Sequence, residues 1–401
     1  MRSLLVFGVA GALSVLASSR KLLEVGRLFE LAQLFASGLS FLAVGVLLGP
    51  GALRLIQPAD LEQMRPLVVA GLGLGGLLMG LNIDLRVLRR LPGAVYSATF
   101  AQSGLTFAAV AGPVAALLVG TGQLPLGEAV GPAALLGAAA SISSGHLAVL
   151  WSRSGRLNRA RGLSVALLAM LDDLTGVGVL AVALALGSGS TPTDGLKLVG
   201  LALALGLACG VLLAFLAHGR GESGELVAIA LGGVGLVAGA AAYLRVSALI
   251  AGLVCGAVLS LVGGKAVAAL VRALQRIERP AFLLLVFLIG AHVDPRLPLT
   301  WALLPVFVAF RFLGKVGGGR LAAAALDGVL DVPPRLGYAL IAQGGVSLCV
   351  VTEYLLLAPG ASAALVFPVG ALAALVNEAL ASRVFARSLD GPARASVEPG
   401  V

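Results

Sequence analysis

Apolar runs of nearly membrane-crossing length recur along the whole chain, and this repetition constrains the fold more than any other feature. A helix needs about 20 apolar residues to cross a bilayer. Thirteen runs approach that length: 3–17, 31–48, 66–83, 93–119, 128–151, 162–187, 196–217, 225–243, 246–263, 280–292, 299–325, 336–357 and 363–385. The tenth is short, and residues 264–279 read as an amphipathic lead-in to it. Only 12% of the 401 residues are charged, about half the share of an ordinary soluble chain. In lipid every backbone polar group must be satisfied internally, which leaves helices or closed barrels. The ten-residue alternation of barrel strands is absent. The sequence predicts an all-α polytopic membrane protein of about 13 transmembrane helices. The 55 glycines suit close helix packing in lipid.

Loop charge sets the expected topology. With the N-terminus outside, odd-numbered runs end in the cytoplasm. Of the 28 Lys and Arg residues, 20 then fall in cytoplasmic loops and 6 in external segments. The excess of Lys and Arg in cytoplasmic loops supports N-terminus outside and C-terminus inside. Arg2 and Ala17-Ser-Ser also give the first run a passable signal-peptide pattern. Arg20, Lys21 and Arg27 favour a retained helix instead. The formal charge of +9 sits in short loops without aromatic interleaving, so nucleic acid is not an expected partner. Cys209, Cys255 and Cys349 form no CxxC or Cys/His cluster, so neither a disulfide framework nor a cysteine metal site is expected.

The sixth run carries two adjacent carboxylates, Asp172 and Asp173, with apolar or small residues on either side. A charge at the bilayer centre costs about 2.5–3.5 kcal/mol on insertion scales, and such residues usually mark ion or proton paths. The competing reading makes one of them the cap of a helix that begins late. In the eleventh run, Arg311 and Lys315 stand four residues apart and share a helix face. Lys315 lies too deep to reach an interface easily, so a carboxylate partner on the sixth run is expected. The fifth run contains Ser141-Ile-Ser143-Ser144-Gly145-His146, and the twelfth contains Gln343-Gly344-Gly345. Both look breakable, and unwound backbone at membrane depth is tolerated only beside a cavity or inside protein. Half-helix ends there would place partial charges at an ion site. His146 reads as a hydrogen-bonded packing residue, Glu378 as a further buried candidate, and Glu353 as a side chain reaching the interface. Gly71-Leu-Gly-Leu-Gly-Gly has no surrounding βαβ unit and reads as packing glycine.

These segments, taken in order, resemble the bacterial monovalent cation:proton antiporters of the second group, which include NapA-type and Kef-type transporters. The resemblance is carried by Val44-Gly-Val-Leu-Leu-Gly49-Pro50, Gly75 to Asp84, Ile142-Ser143-Ser144, Asp172-Asp173, Lys315-Val-Gly-Gly and Ala342-Gln343-Gly344-Gly345. It implies a single transmembrane domain over 1–401, with inverted repeats at about 31–187 and 246–385 and no fused soluble regulatory domain. It implies two discontinuous helices, as in the NhaA/NapA-like fold. Gly145-His146 and Val346 depart from residues often found at those places in the family.

The implied function is electrogenic exchange of Na+ or Li+ for H+ in the bacterial inner membrane, by a non-enzymatic homodimer needing no cofactor. Asp173 would carry cation and proton alternately. Asp172 would pair with Lys315 in one state and help bind the cation in the other. Ser143, Ser144 and Gln343 would shape the site, and Lys315, Arg311 and Glu378 would compensate charge. Alternatives are a Kef-type K+/H+ antiporter and a sodium-coupled solute symporter of related fold. An intramembrane aspartyl protease fits poorly, because adjacent carboxylates on one helix diverge by about 100°. A non-transporting sensor is the remaining reading.

Overall fold

A computed structural model describes residues 37–187, 192–218, 223–358 and 360–388. The first apolar run and the start of the second lie outside these residues. The described residues form helices joined by short turns. They are α1 (Ser40–Leu48), α2 (Pro58–Leu81), α3 (Leu85–Leu88), α4 (Gly93–Gly120), α5 (Leu126–Ser141), α6 (His146–Arg153), α7 (Arg159–Gly187) and α8 (Pro192–Ala217). They continue with α9 (Ser223–Leu244), α10 (Ala248–Val262), α11 (Gly264–Ala291), α12 (Pro298–Ala325), α13 (Leu336–Ala339), α14 (Gly345–Leu357) and α15 (Ala361–Ala386). Among the described residues, eight spans are long and apolar enough to cross a membrane, with Leu126–Arg153 taken as one.

Three boundaries carry information. The amphipathic lead-in and the short tenth run are one continuous helix, α11, with Pro280 inside it. Pro280 follows a long polar stretch, so hydropathy alone separated what the backbone joins. Helix α7 runs unbroken from Arg159. Asp172 and Asp173 therefore lie in its middle, and neither caps it. The fifth and twelfth runs are indeed interrupted, at 142–145 between α5 and α6 and at 340–344 between α13 and α14.

Glycine decides how closely the helices approach. A Cβ added at Gly76 or Gly80 of α2 would overlap the carbonyls of Leu249 or Leu253 on α10. A Cβ at Gly252 or Gly256 of α10 would overlap the carbonyls of Gly73 or Leu77. Two small-residue pairs, each spaced by four, thus let these backbones touch. Gly45 and Gly290 do the same for α1 against α11, and Gly314 and Gly318 for α12 against α4. At the breaks, glycine again serves proximity. Gly344 has extended backbone angles open to any residue, but a Cβ there would press on the Ser144 side chain. The two unwound segments cross there, and the Ser144 amide donates to the Ala342 carbonyl at 2.8 Å.

Candidate ion site

The crossing leaves the C-terminal end of α5 deep in the protein. The last four carbonyls of any α-helix lack intrahelical donors. Here side chains supply them all. Ser141 Oγ donates to the Ala138 carbonyl at 2.8 Å and Gln343 Nε2 to Ala139 at 3.0 Å. Arg311 Nε donates to Ala140 at 3.0 Å, and Lys315 Nζ reaches the Ser141 carbonyl. Arg311 then bridges the two breaks, donating to Ile142 at 2.9 Å and to Ile341 at 2.6 Å. Cations at the negative end of a helix are favourable. Arg311 therefore answers backbone dipoles, and among the described residues no carboxylate forms an ion pair with it. That departs from an arrangement in which both bases neutralise the acidic pair.

Lys315 does meet a carboxylate. Its Nζ lies 2.9 Å from Asp172 Oδ2, and both side chains are fully buried. Asp172 is saturated with donors. Ser143 Oγ reaches Oδ2 at 2.7 Å, and Gln102 Nε2 and Ser103 Oγ reach Oδ1 at 2.7 and 2.5 Å. Gln102 Oε1 also accepts from Lys315 at 3.1 Å. Buried ions survive only with such pairing and hydrogen bonding. Gln343 is fixed on its other side by Asn377, whose Nδ2 donates to Gln343 Oε1 at 2.7 Å.

Asp173 faces the other way. Consecutive helical residues point about 100° apart, and its carboxylate meets a cavity of about 600 Å³. Ser144, Gly145, Gly75, Gly345 and Cys349 share that lining. The cavity runs out to Asn82 and Glu278, both exposed. Asp173 Oδ1 is buried yet has no hydrogen-bond partner among the described residues. Leaving a buried acceptor unmade costs about 1–3 kcal/mol, more when it is charged. An oxygen left this way is a place for a cation or a proton. The N-termini of α6 and α14 open on the same cavity at Gly145 and Gly345, and their positive ends favour a nearby carboxylate.

The sequence matches the family model described as sodium/hydrogen exchanger, transmembrane, over residues 9–377. The chain belongs to the sodium/hydrogen exchanger family. Its fold is similar to that of the sodium proton antiporter MjNhaP1 from Methanocaldococcus jannaschii, in a structure at pH 8, with a TM-score of 0.65. The two are 16% identical, over 97% of this chain and 99% of that one. An electron-microscopy structure of MjNhaP1 superposes with a TM-score of 0.60 at 18% identity, over 95% and 94% of the two chains. No curated protein matches the sequence.

Two more buried carboxylates differ in their surroundings within this sodium/hydrogen exchanger fold. Glu353 does not reach an interface. It is 2% exposed, and its Oε1 accepts from the Ala248 amide at 2.7 Å, at the start of α10. Glu378 lies 2.8 Å from His146 Nε2. Gln102, Ser103 and Asn377 were not singled out by the sequence. Their only signal was neutral polarity inside apolar runs, which ordinary helix packing also produces.

Proposed function

We propose that the protein exchanges Na+ or Li+ for H+ by alternating access, with Asp173 as the carrier. One observation carries this: a buried carboxylate oxygen without a donor, at the inner end of a cavity that reaches the surface. A single carboxylate makes binding exclusive, because protonation removes the charge that attracts the cation. Ser144 supplies a neutral hydroxyl in the same lining, a ligand type a hard monovalent cation takes. Ser143 and Gln343 act one step back, on Asp172 and on the α5 end.

The Asp172–Lys315 pair accounts for electrogenic exchange. A cation that draws Asp172 away leaves the buried Lys315 ammonium with neutral acceptors only and no counter-charge, and it gives up a second proton. Two protons then move against one cation. The near-symmetric partnering of helices supports inverted repeats at about 31–187 and 246–385. The fourth and eleventh runs pack together, the fifth and twelfth cross, and the second and third meet the tenth and ninth.

Placement in the bacterial inner membrane rests on the family resemblance, and loop charge supports a cytoplasmic 152–161. The cavity lining at Asn82, Val149 and Ala166 then makes this an inward-facing state. Exposed Leu203, Leu207, Val211 and Phe215 of α8 would meet lipid or a second protomer of a homodimer. Arg156→Cys labelled by an impermeant thiol reagent from outside intact cells would reverse the orientation.

Flux into proteoliposomes tests the function. Imposed Na+ or Li+ gradients should drive proton movement without added solute, and K+ gradients should not. Lowering the pH should raise the apparent KM for Na+ before it lowers the maximum rate. Asp173→Asn should stop exchange while the protein still folds, since a neutral amide is cheaper to bury than a carboxylate. Wild-type exchange by Asp173→Asn would place the carrier elsewhere.

A further inference from the structure

Glu353 is a buried carboxylate that the proposed exchange leaves unused. It stands on α14, the half-helix that follows the second break. Its Oε1 accepts from the Ala248 amide at 2.7 Å. Ala248 is the first residue of α10, a helix of 15 residues. The Ser247 hydroxyl accepts from the Ile250 amide at 3.0 Å, so two side chains answer two of the free amides at this helix end. The positive end of a helix favours a carboxylate, and a hydrogen bond to an ionised group is stronger than a neutral one. Glu353 Oε2 is buried and has no hydrogen-bond partner among the described residues. The hydrogen bond that holds this carboxylate thus comes from another helix.

That helix belongs to a different packing group. Helices α4–α7 and α12–α15 pack as one group, and α1, α2 and α8–α11 as another. The cavity lies between them. Asp173, Ser144 and Cys349 line it from the first group, and Gly75, Leu249 and Phe282 from the second. Helices α2 and α10 run in the same direction, with Gly76 against Leu249 and Gly80 against Leu253. The start of α10 is therefore at the end of the cavity away from its mouth at Asn82. Leu249 follows Ala248, and Cys349 precedes Glu353 by one turn. The bond between Glu353 and Ala248 thus lies just behind the closed end of the cavity. Alternating access needs each face to open in turn. For Asp173 to be reached from the far face, α14 must part from the start of α10, and Glu353 must give up its donor.

We propose that Glu353 is a positioning residue of the transport cycle: its bond to the start of α10 closes the far face and favours the state in which Asp173 opens toward Asn82. The inference rests on the reading of the protein as an alternating-access exchanger. It adds a determinant of the balance between the two states that touches no ion. Removing it should leave the cation site intact and shift the population to the opposite state. Apparent affinity on a face rises with the population of the state open to that face.

The test is sided Na+/H+ exchange in proteoliposomes of uniform orientation, with apparent KM for Na+ measured on each face. Glu353→Ala should lower KM on the Glu353 face by about tenfold, the worth of one charge-assisted hydrogen bond. It should not lower KM on the cavity face. Glu353→Gln keeps an oxygen that can accept from Ala248, and should fall between wild type and Glu353→Ala. Glu353→Asp keeps the charge but is one methylene too short, and should resemble Glu353→Ala.

A second readout needs no flux. In protein with Cys209, Cys255 and Cys349 replaced by alanine, Val149→Cys lines the open cavity. It should react several-fold more slowly with a bulky thiol reagent when Glu353→Ala or Glu353→Asp is added. A residue that only held the fold would lower the melting temperature and leave both readouts unchanged. KM values that move together on the two faces, or Val149→Cys reactivity indifferent to Glu353, would overturn the proposal. Exchange that survives Asp173→Asn would overturn the carrier assignment instead, a separate result.

Discussion

Asp172 and Asp173 are neighbours on one helix, yet their surroundings are opposites. Asp172 looks into the contact of α7 with α4 and α12, where it is fully buried and four side chains donate to it. Asp173 looks into a cavity and keeps an oxygen with no hydrogen-bond partner among the described residues. The same chemistry thus holds a broken helix in place at Asp172 and, in the function proposed, binds the cation at Asp173. Rotation of about 100° per residue is enough to separate the two roles. Preorganisation on the Asp172 side is what lets Asp173 remain unsatisfied: the wall behind it is built from groups that already have partners.

Damage to the saturated side should have the largest effect on stability. Lys315→Ala leaves Asp172 charged and unpaired and strips the Ser141 carbonyl of its donor. Breaking a buried pair costs about 3–5 kcal/mol, so a large fall in melting temperature is expected, with altered charge movement per cycle. Unchanged melting and unchanged electrogenicity would contradict that pairing. Gln102→Ala removes a donor from Asp172 and an acceptor from Lys315, and should cost about 1–3 kcal/mol. Chemical denaturation that matched wild type would show the amide to be dispensable.

The cavity side should respond in the reverse manner. Gly75 lines the cavity on α2, and a Cβ there would sit 3.5 Å from Cys349 Sγ, an ordinary contact. Gly75→Ala should therefore keep stability or raise it by up to about 1 kcal/mol through helix propensity, while slowing exchange by narrowing the cavity. A stable variant with wild-type flux would mean the ion takes another route.

The sequence made the fold readable wherever apolar length and small polar residues leave a mark. The interrupted runs were visible in Ser143-Ser144-Gly145 and Gln343-Gly344-Gly345. The buried charges were visible because Asp, Arg and Lys are costly in lipid. What each charge faces was not visible. Arg311 meets carbonyls at two breaks, one about 170 and the other about 30 residues away. The sharing of Asp172 among Gln102, Ser103 and Ser143 depends on helix rotation, which a single run does not encode. Glu353 lay near an expected helix end, and only the start of α10 beside it explains its burial. The continuity of α11 was hidden because polar residues ahead of Pro280 masked a helix that hydropathy cut short.

The contrast between the two carboxylates is tested most directly by melting temperature, with and without saturating Na+, for wild type, Asp172→Asn and Asp173→Asn. A ligand that binds only the folded state stabilises it by about 2.7 kcal/mol at 100 times its Kd. The account predicts that Na+ raises the wild-type melting temperature. Asp173→Asn should melt no lower than wild type without Na+, and should gain nothing when Na+ is added. Asp172→Asn should melt lower in both conditions, because Lys315 loses its counter-charge. A normal Na+ response from Asp173→Asn, or a loss of basal stability confined to Asp173→Asn, would contradict the assignment.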